Sequence, residues 1–198
     1  MNVVIVKYNA GNIQSVLFAL ERLGVTAVVT DDKEQILSAD KIIFPGVGEA
    51  STAMNYLKQR SLDKVITSAK QPLLGICLGM QLLCNYSEEN NTECLGIFNT
   101  QVKRFTNTDL ANPLKIPQIG WNNISITDNP LFRNVKDGSY CYFVHSYYAE
   151  INESSIATTH YGIEFSCALN KDNFYGVQFH PEKSAETGEQ ILKNFLAL

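Results

Sequence analysis

Continuous apolar runs alternate with helical patterns through the first half of the chain. Residues 2–6 form an apolar run that is typical of a parallel strand buried on both faces. Apolar side chains then recur at helical spacing from Ile13 to Leu23, and Gly24 follows as a C-terminal stop. The alternation continues with predicted strands at residues 26–29, 41–44 (ending before Pro45-Gly46) and 73–76, and predicted helices at residues 50–69 and 78–85. This order favours a parallel sheet covered by helices.

The second half of the chain has a different pattern. Short β-type runs separated by turns predict antiparallel additions to the sheet, at residues 124–126, 140–149, 156–159 and 174–179. A helix is predicted at residues 185–197. Neither a linker nor a repeat nor a low-complexity segment interrupts the sequence. We therefore expect one domain over residues 1–198, an α/β three-layer sandwich with a largely parallel central sheet and antiparallel additions.

Composition narrows the possible functions. The chain is 45% hydrophobic and 18% charged, which is typical of a globular protein, and its net charge is −4. Basic residues are scattered, so neither a nucleic acid nor a membrane is an expected partner. The five cysteines show no CxxC spacing, which indicates free thiols and a reducing compartment. Because the first apolar run is also too short for a signal peptide, we expect a cytoplasmic protein.

A candidate nucleophile lies where a buried strand runs into a helix. Cys77 stands in the sequence Gly75-Ile76-Cys77-Leu78-Gly79-Met80-Gln81, with a glycine two residues before it and two after it. This is the pattern of a nucleophile elbow with cysteine in place of serine. A helix start beneath the sulfur favours the thiolate, and the N–H of Leu78 can donate to an oxyanion. The alternative interpretation is a buried structural cysteine.

A candidate base and its orienting carboxylate follow a later strand. In Gly176-Val177-Gln178-Phe179-His180-Pro181-Glu182, an apolar strand delivers His180, and Glu182 projects to the same side two residues later. An imidazole can take a proton from a thiol and pass it to a leaving amine, and a carboxylate can fix its tautomer. Taken alone, such a tripeptide is more often a surface ion pair, so the argument rests on its coincidence with the cysteine elbow.

A third motif, Pro45-Gly46-Val47-Gly48, also follows a predicted strand. Glycines on both sides leave the backbone of Val47 free to reorient, so its N–H is a candidate second oxyanion donor. An ordinary turn is the alternative.

Together these motifs resemble the class I glutamine amidotransferase family over nearly the whole chain. The resemblance implies a catalytic triad of Cys77, His180 and Glu182 and an oxyanion hole at Val47 and Leu78. It also implies a set of glutamine-binding residues, namely Gly46, Gly48, Gln81, Glu89, His145, Ser146 and Tyr147. Glu88 adjoins Glu89, so the sequence leaves open which of the two carboxylates faces the substrate. The resemblance implies neither a metal nor a cofactor.

Within this family, the likeness is greatest to glutaminase subunits of imidazole glycerol phosphate synthases, in histidine biosynthesis. It is carried by residues 8–16, 19–24, 120–122, 142–147 and 181–184. It implies a heterodimer with a synthase (cyclase) subunit of (β/α)-barrel type, which consumes the released ammonia. Asn12, Trp121, Tyr142 and Lys183 are the implied interface residues. The opening Lys7-Tyr8-Asn9 departs from the family's usual DYG, which affects the expected docking rather than the chemistry.

Three alternatives remain open at this point. The chain could serve a paralogous amidotransferase pathway, act alone as a γ-glutamyl thiol hydrolase, or dock on a synthase without catalysing anything. Retention of Cys77, His180 and Glu182 speaks against the last. Aromatic residues along the predicted strand at 140–149 are expected mainly in the core, including Tyr140, Phe143 and Tyr148.

Overall fold

The computed structural model describes residues 1–9, 12–107 and 113–198. Its strands are β1 (Val3–Val6), β2 (Ala27–Thr30), β3 (Lys41–Gly46), β4 (Leu73–Cys77), β5 (Cys84–Ser87), β6 (Thr92–Glu93), β7 (Phe98–Arg104), β8 (Gln118–Asn123), β9 (Ser125–Ile126), β10 (Tyr140–His145), β11 (Tyr147–Ala149), β12 (Ser155–Tyr161), β13 (Ile163–Lys171) and β14 (Phe174–Val177). Its helices are α1 (Ile13–Arg22), α2 (Lys33–Leu37), α3 (Ala50–Gln59), α4 (Leu62–Ser68), α5 (Leu78–Leu83) and α6 (Ala185–Leu196). Short 3-10 turns occupy Pro130–Phe132 and Pro181–Lys183.

The main sheet has the order β2-β1-β3-β4-β14-β13-β11-β7-β5-β6, and β12 pairs with β13 and β9. Its first five strands are mutually parallel, because β1 pairs in parallel with β2 and β3, and β4 with β3 and β14. Antiparallel pairing begins at β13 and continues through β11 to β7. The predicted architecture, a largely parallel sheet with antiparallel additions, is confirmed.

Alternate residues of the parallel strands supply two apolar cores, one on each face of the sheet. Val3 and Ile5 belong to the core that α1 and α6 cover, whereas Val4 and Val6 belong to the core covered by α3, α4 and α5. Strands buried on both faces must be apolar at every position, which explains the unbroken run at the start of the chain. Among the described helices, none is long and apolar enough to cross a membrane.

Several predicted boundaries were wrong. Strand β3 does not stop before Pro45 but continues to Gly46, which pairs with Cys77. The pairing of β3 with β1 ends at Ile43. Beyond that residue β3 is hydrogen-bonded only to β4, so the missing N–H of Pro45 can be tolerated there. The predicted helix at residues 50–69 is two helices, since Ser61 adopts a positive φ of 56° between them.

Other differences depend on contacts that a local pattern does not reveal. The helix predicted at residues 78–85 ends at Leu83, and the next residue starts β5, which pairs with β7. The predicted strand at residues 140–149 is divided at Ser146, because β11 joins the main sheet whereas β10 pairs with β8 in a separate small sheet. Helix α2 and strands β7 and β13 were not predicted at all.

Candidate active site

The motifs meet at one edge of the sheet because β3, β4 and β14 are neighbours and run in the same direction. Their carboxyl ends lead directly to Val47, Cys77 and His180. These residues surround a cavity of about 260 Å³. Its walls are formed by Val47, Gly48, Cys77, Leu78, Gln81, Glu89, Val144, His145, Ser146, Tyr147, His180 and Lys183. A crevice at the carboxyl ends of parallel strands is the usual ligand site of open α/β sheets.

Cys77 occupies a strained turn between β4 and α5. Its backbone has φ 53° and ψ −110°, a conformation that side-chain-bearing residues seldom adopt. The side chain is 7% exposed, and Sγ lies 3.7 Å from the carbonyl oxygen of Val144. The turn therefore brings the sulfur to the cavity wall, as expected for a nucleophile elbow, while the residue also packs against the core that α1 and α6 cover.

Gly79 makes this tight turn possible. A Cβ at this position would overlap the carbonyl oxygen of Phe44 and lie 2.9 Å from its carbonyl carbon, so α5 can approach β3 only without a side chain there.

We expect Gly79→Ala to lower the free energy of unfolding by about 3 kcal/mol through overpacking. Urea denaturation measures this. Gly24→Ala is the control, because nothing lies within 4 Å of the added Cβ and only its positive φ opposes it, at a cost of about 1 kcal/mol. Equal losses in the two variants would contradict the packing explanation.

His180 and Glu182 form a buried pair. Nδ1 of His180 lies 2.7 Å from Oε1 of Glu182, and the two side chains are only 4% and 2% exposed. Burial alone would favour the neutral imidazole. The interactions of His180 with the sulfur of Cys77 and with Glu182 outweigh burial and raise the pKa of His180 to about 10. The site thus favours a protonated imidazole next to the sulfur.

Glu89, rather than Glu88, faces the cavity. Glu89 lines its wall, and Oε2 of Glu89 accepts a 2.8 Å hydrogen bond from the backbone N–H of Ala50. Burial raises the pKa of Glu89, an effect that the hydrogen bond from Ala50 opposes. Glu88 turns away and accepts from the backbone N–H of Arg104. Of the two adjacent carboxylates, it is therefore that of Glu89 which belongs to the cavity.

His145 is neutral in this environment. It is 6% exposed, and burial lowers its pKa to about 4. Nδ1 lies 2.6 Å from the carbonyl oxygen of Tyr147, which can only accept, so the single ring proton resides on Nδ1. Nε2 lies 3.0 Å from Oε1 of Gln118; because the neutral Nε2 can only accept, the side-chain amide of Gln118 must be turned so that its NH2 group donates to Nε2.

Two of the predicted residues stand differently from the expectation. Gly46 does not line the cavity; it lies within β3, where the hydroxyl of Tyr8 and the side chain of Leu78 leave no room for a Cβ. Gln81 lies in the cavity wall, but its Nε2 is already bonded to the carbonyl oxygen of Tyr147 at 3.0 Å and to Oε1 of Gln178 at 2.8 Å. Its own Oε1 is thus the atom that can serve a ligand.

The sequence reasoning missed several residues of the site. Gln178 was treated only as part of a strand, yet its Nε2 lies 3.7 Å from Sγ of Cys77. Gln118 is 3% exposed and bonded to His145. A glutamine within an otherwise apolar strand, as in Val177-Gln178-Phe179, is the one signal that could have found Gln178, because a buried amide needs partners.

The residues assigned to a partner interface lie on β8, on β10, before α1 and in the 3-10 turn at Pro181–Lys183. Trp121 and Tyr142 are directly opposite each other on β8 and β10, with ring centroids 5.9 Å apart. Trp121 is 53% exposed, and Tyr140 on the same face is 58% exposed, so the prediction that Tyr140 belongs to the core was wrong. Alternation along β10 turns Phe143 inward and Tyr140 outward. Lys183 is exposed and lines the cavity. Asn12 immediately precedes α1. Ala10 and Gly11, which belong to the same opening stretch (residues 8–16) as Asn12, lie outside the described residues.

Comparison with known proteins decides the family. The model of the family "Glutamine amidotransferase class-I" matches residues 4–198. The chain belongs to this family. Among class I glutamine amidotransferases, it is 56% identical over 198 residues to imidazole glycerol phosphate synthase subunit HisH of Bacteroides fragilis, with all of both chains covered. It is 54% identical to the Bacteroides thetaiotaomicron subunit of the same name, over 198 residues and all of both chains, and 48% identical to that of Pectobacterium atrosepticum over 200 residues, again covering both completely.

Solved structures support the fold of a class I glutamine amidotransferase. A crystal structure of a glutamine amidotransferase superposes with a TM-score of 0.75 at 19% identity, covering 99% of this chain and 98% of that one. A glutamine amidotransferase from Thermotoga maritima gives a TM-score of 0.64 at 18% identity, covering 100% of this chain and 83% of its own. At these identities the likeness concerns the fold, and the residue roles rest on the geometry described above.

Proposed function

We propose that this chain hydrolyses glutamine to glutamate and ammonia and passes the ammonia to a synthase partner that makes imidazole glycerol phosphate in histidine biosynthesis. The observation that carries the chemistry is Cys77 on a strained elbow beside the buried His180–Glu182 pair. The observation that carries the pathway is full-length identity of about half with subunits that bear the synthase's name. We further propose that residues 1–198 form one glutamine amidotransferase domain and that the protein is cytoplasmic, in keeping with its five free thiols.

Acylation begins with the ion pair that the site favours. The thiolate of Cys77 attacks the side-chain amide carbon of glutamine, and the N–H groups of Val47 and Leu78 stabilise the oxyanion. His180 already carries a proton, because its pKa is raised to about 10, and it donates that proton to the departing nitrogen. Ammonia leaves, and a γ-glutamyl thioester remains on Cys77.

Deacylation returns the enzyme to its starting state. Neutral His180 takes a proton from water, which attacks the thioester carbon, and the thiolate departs as glutamate forms. Glu182 keeps Nδ1 protonated throughout and stabilises the imidazolium each time it appears.

The cavity offers complementary groups for the other end of glutamine. The carboxylate of Glu89 and Oε1 of Gln81 can accept from the substrate's ammonium group, and both residues lie in the wall. Gly48, His145, Ser146 and Tyr147, which also line the cavity, complete the proposed binding site. Glu89 also accepts a hydrogen bond from the backbone N–H of Ala50, three residues after Val47. A substrate bound to Glu89 would therefore be linked through this hydrogen bond to the segment that carries Val47.

The proposed partner is a (β/α)-barrel cyclase that forms a heterodimer with this chain. The exposed face of β8 and β10 would dock on it, because Trp121 and Tyr140 present exposed aromatic surface there. Tyr142 on the same strand as Tyr140, Lys183 in the cavity wall and Asn12 before α1 would belong to this interface too.

The isolated chain is expected to be a poor glutaminase. Val47 is 41% exposed, and it lies between the end of β3 and Gly48, whose φ is 120°, so its N–H is free to be misoriented until a partner binds. Adding the synthase subunit and its nucleotide ligand should raise kcat for glutamine hydrolysis by about 100-fold or more, the effect of completing an oxyanion hole. Glutamate release measured with and without the partner tests this. An isolated chain that already turns over at the stimulated rate would favour a stand-alone γ-glutamyl hydrolase.

A further inference from the structure

A chain of buried amides connects the far wall of the cavity to the sulfur of Cys77. Gln178 is fully buried, Gln81 is 5% exposed, and they are bonded to each other at 2.8 Å. Gln81 in turn bonds the carbonyl oxygen of Tyr147 at 3.0 Å, and Gln178 reaches Sγ of Cys77 at 3.7 Å. Burying an amide without partners is costly, so the direction of each of these bonds matters.

The backbone carbonyl of Tyr147 sets the direction of the whole chain. A carbonyl oxygen only accepts, so Gln81 must present its NH2 group to it. The same NH2 group meets Gln178, which therefore presents Oε1. The remaining end of the Gln178 amide is its NH2 group, and it faces the sulfur. The reverse orientation would bring two NH2 groups together and remove the donor from Cys77.

The backbone of Gln178 holds this geometry firmly. Gln178 lies two residues before His180, and its backbone N–H donates a 2.8 Å hydrogen bond to the carbonyl oxygen of Cys167 on the neighbouring strand. The side chain consequently approaches the sulfur from the strand that also delivers the base. On another side of Sγ lies the carbonyl oxygen of Val144, which can accept from a thiol but repels a thiolate. The N–H donor of Gln178 at the same sulfur compensates for that repulsion.

We infer that Gln178 is a further catalytic residue, whose Nε2–H donates a hydrogen bond to the sulfur of Cys77 and stabilises its thiolate. This inference builds on the proposed glutaminase function, but it concerns a property of the free chain that exists without glutamine or partner. Gln81 then has two tasks, since it contacts the substrate side of the cavity and fixes the direction of the donor.

The test compares Gln178→Met and Gln178→Glu with the wild-type chain. Iodoacetamide forms a thioether with Cys77 and releases iodide, and only the thiolate reacts appreciably. Peptide mass spectrometry quantifies modification at Cys77 across pH. For Gln178→Met, we expect the pH of half-maximal alkylation to rise by about one to two units and kcat in the stimulated complex to fall about 10- to 100-fold, as for loss of a hydrogen bond to a charged group.

Gln178→Met separates donation from packing. Methionine fills much of the same volume without an N–H donor, so a packing role would leave the alkylation profile of this variant in place, and that result overturns the inference. Gln178→Glu keeps the shape of the side chain and can still accept from Gln81, but it places a negatively charged oxygen where the donor stood, so its profile should shift further upward than that of Gln178→Met. Folding of both variants is checked by circular dichroism and thermal melting, and Gln178→Leu, which also lacks a donor and a charge, replaces Gln178→Met if that variant does not fold.

The control must leave every other group around the sulfur unchanged. The titratable groups that face Cys77 or share its cavity are Tyr8, Glu89, His145, Tyr147, His180, Glu182 and Lys183. None of them is altered in the variants, so a shifted profile reports on position 178. Gln71→Met is the matched control, because Gln71 also bridges carbonyl oxygens, those of Ile36 and Leu37, but far from the site along β3 and β4. In Gln71→Met, alkylation of Cys77 should depend on pH as it does in the wild-type chain. A shift of the alkylation profile equal to that of Gln178→Met would count against the inference.

Failure of glutamine hydrolysis in the wild-type chain would instead challenge the proposed function.

Discussion

A complex of the Cys77→Ser variant with its synthase partner is expected to make no product from glutamine, yet to make product from ammonium salt at high pH. Serine keeps the shape of the elbow, but its hydroxyl lacks the thiolate's nucleophilicity, and loss of a nucleophile costs about 10⁴- to 10⁶-fold in kcat. Free ammonia bypasses the hydrolysis, because the cavity around Cys77 supplies nitrogen and the partner supplies the synthase chemistry. The measurement is formation of imidazole glycerol phosphate with each nitrogen source.

The matched control for this experiment is Cys94→Ser. Cys94 is a partly exposed free cysteine outside the cavity, so its replacement should leave both activities intact. If the assembled Cys77→Ser complex fails with ammonia too, this chain contributes to the synthase chemistry itself. Near-normal use of glutamine by Cys77→Ser would remove Cys77 from the proposed mechanism.

The candidate catalytic residues could be selected from the sequence because their signals are local. Gly75, Cys77 and Gly79 lie within five residues; a Cβ on Gly75 would meet the backbone of α5, and a Cβ on Gly79 would meet Phe44 of β3. His180 and Glu182 are likewise only two residues apart, although Glu182 lies in the 3-10 turn that follows His180 and not on the extended backbone that was predicted. The parallel order of β3, β4 and β14 then brings the three motifs together, and the alternating pattern of the first half indicates that order.

The residues that the sequence did not reveal depend on contacts between distant segments. Gln118 reaches His145 only because β8 pairs with β10, and nothing near Gln118 in sequence announces that pairing. Tyr140 was assigned to the core because aromatic residues are usually buried, but its strand has one face open beside the cavity. Glu88 and Glu89 differ only in which way the loop turns them, and the N–H of Ala50 on a remote helix fixes that choice.

The carboxylate of Glu182 should matter nearly as much as the nucleophile, and Glu182→Gln tests it with little change of shape. An amide can donate to Nδ1 and thereby stabilise the wrong tautomer, and it cannot balance the positive imidazolium. We expect kcat for glutamine in the stimulated complex to fall by about 10⁴-fold, as for the equivalent change in other triads. The pKa of His180, held at about 10 by Cys77 and Glu182 against the effect of burial, should fall.

The sign of the pH effect follows from that change. In the wild-type chain, His180 stays protonated as pH rises until it approaches its pKa of about 10, so the base carries its proton through neutral pH. In Glu182→Gln, the imidazolium should lose its proton at a lower pH.

Titration of the His180 ring by NMR in both proteins measures this shift directly. Glu186→Gln serves as the control because Glu186 is an exposed carboxylate in the first turn of α6. A Glu182→Gln variant that keeps the wild-type titration of His180 would show that the 2.7 Å pair does not set the charge of the base. Loss of activity in such a variant would then have to come from the geometry of the ring alone, and the proposed electrostatic role of Glu182 would be wrong.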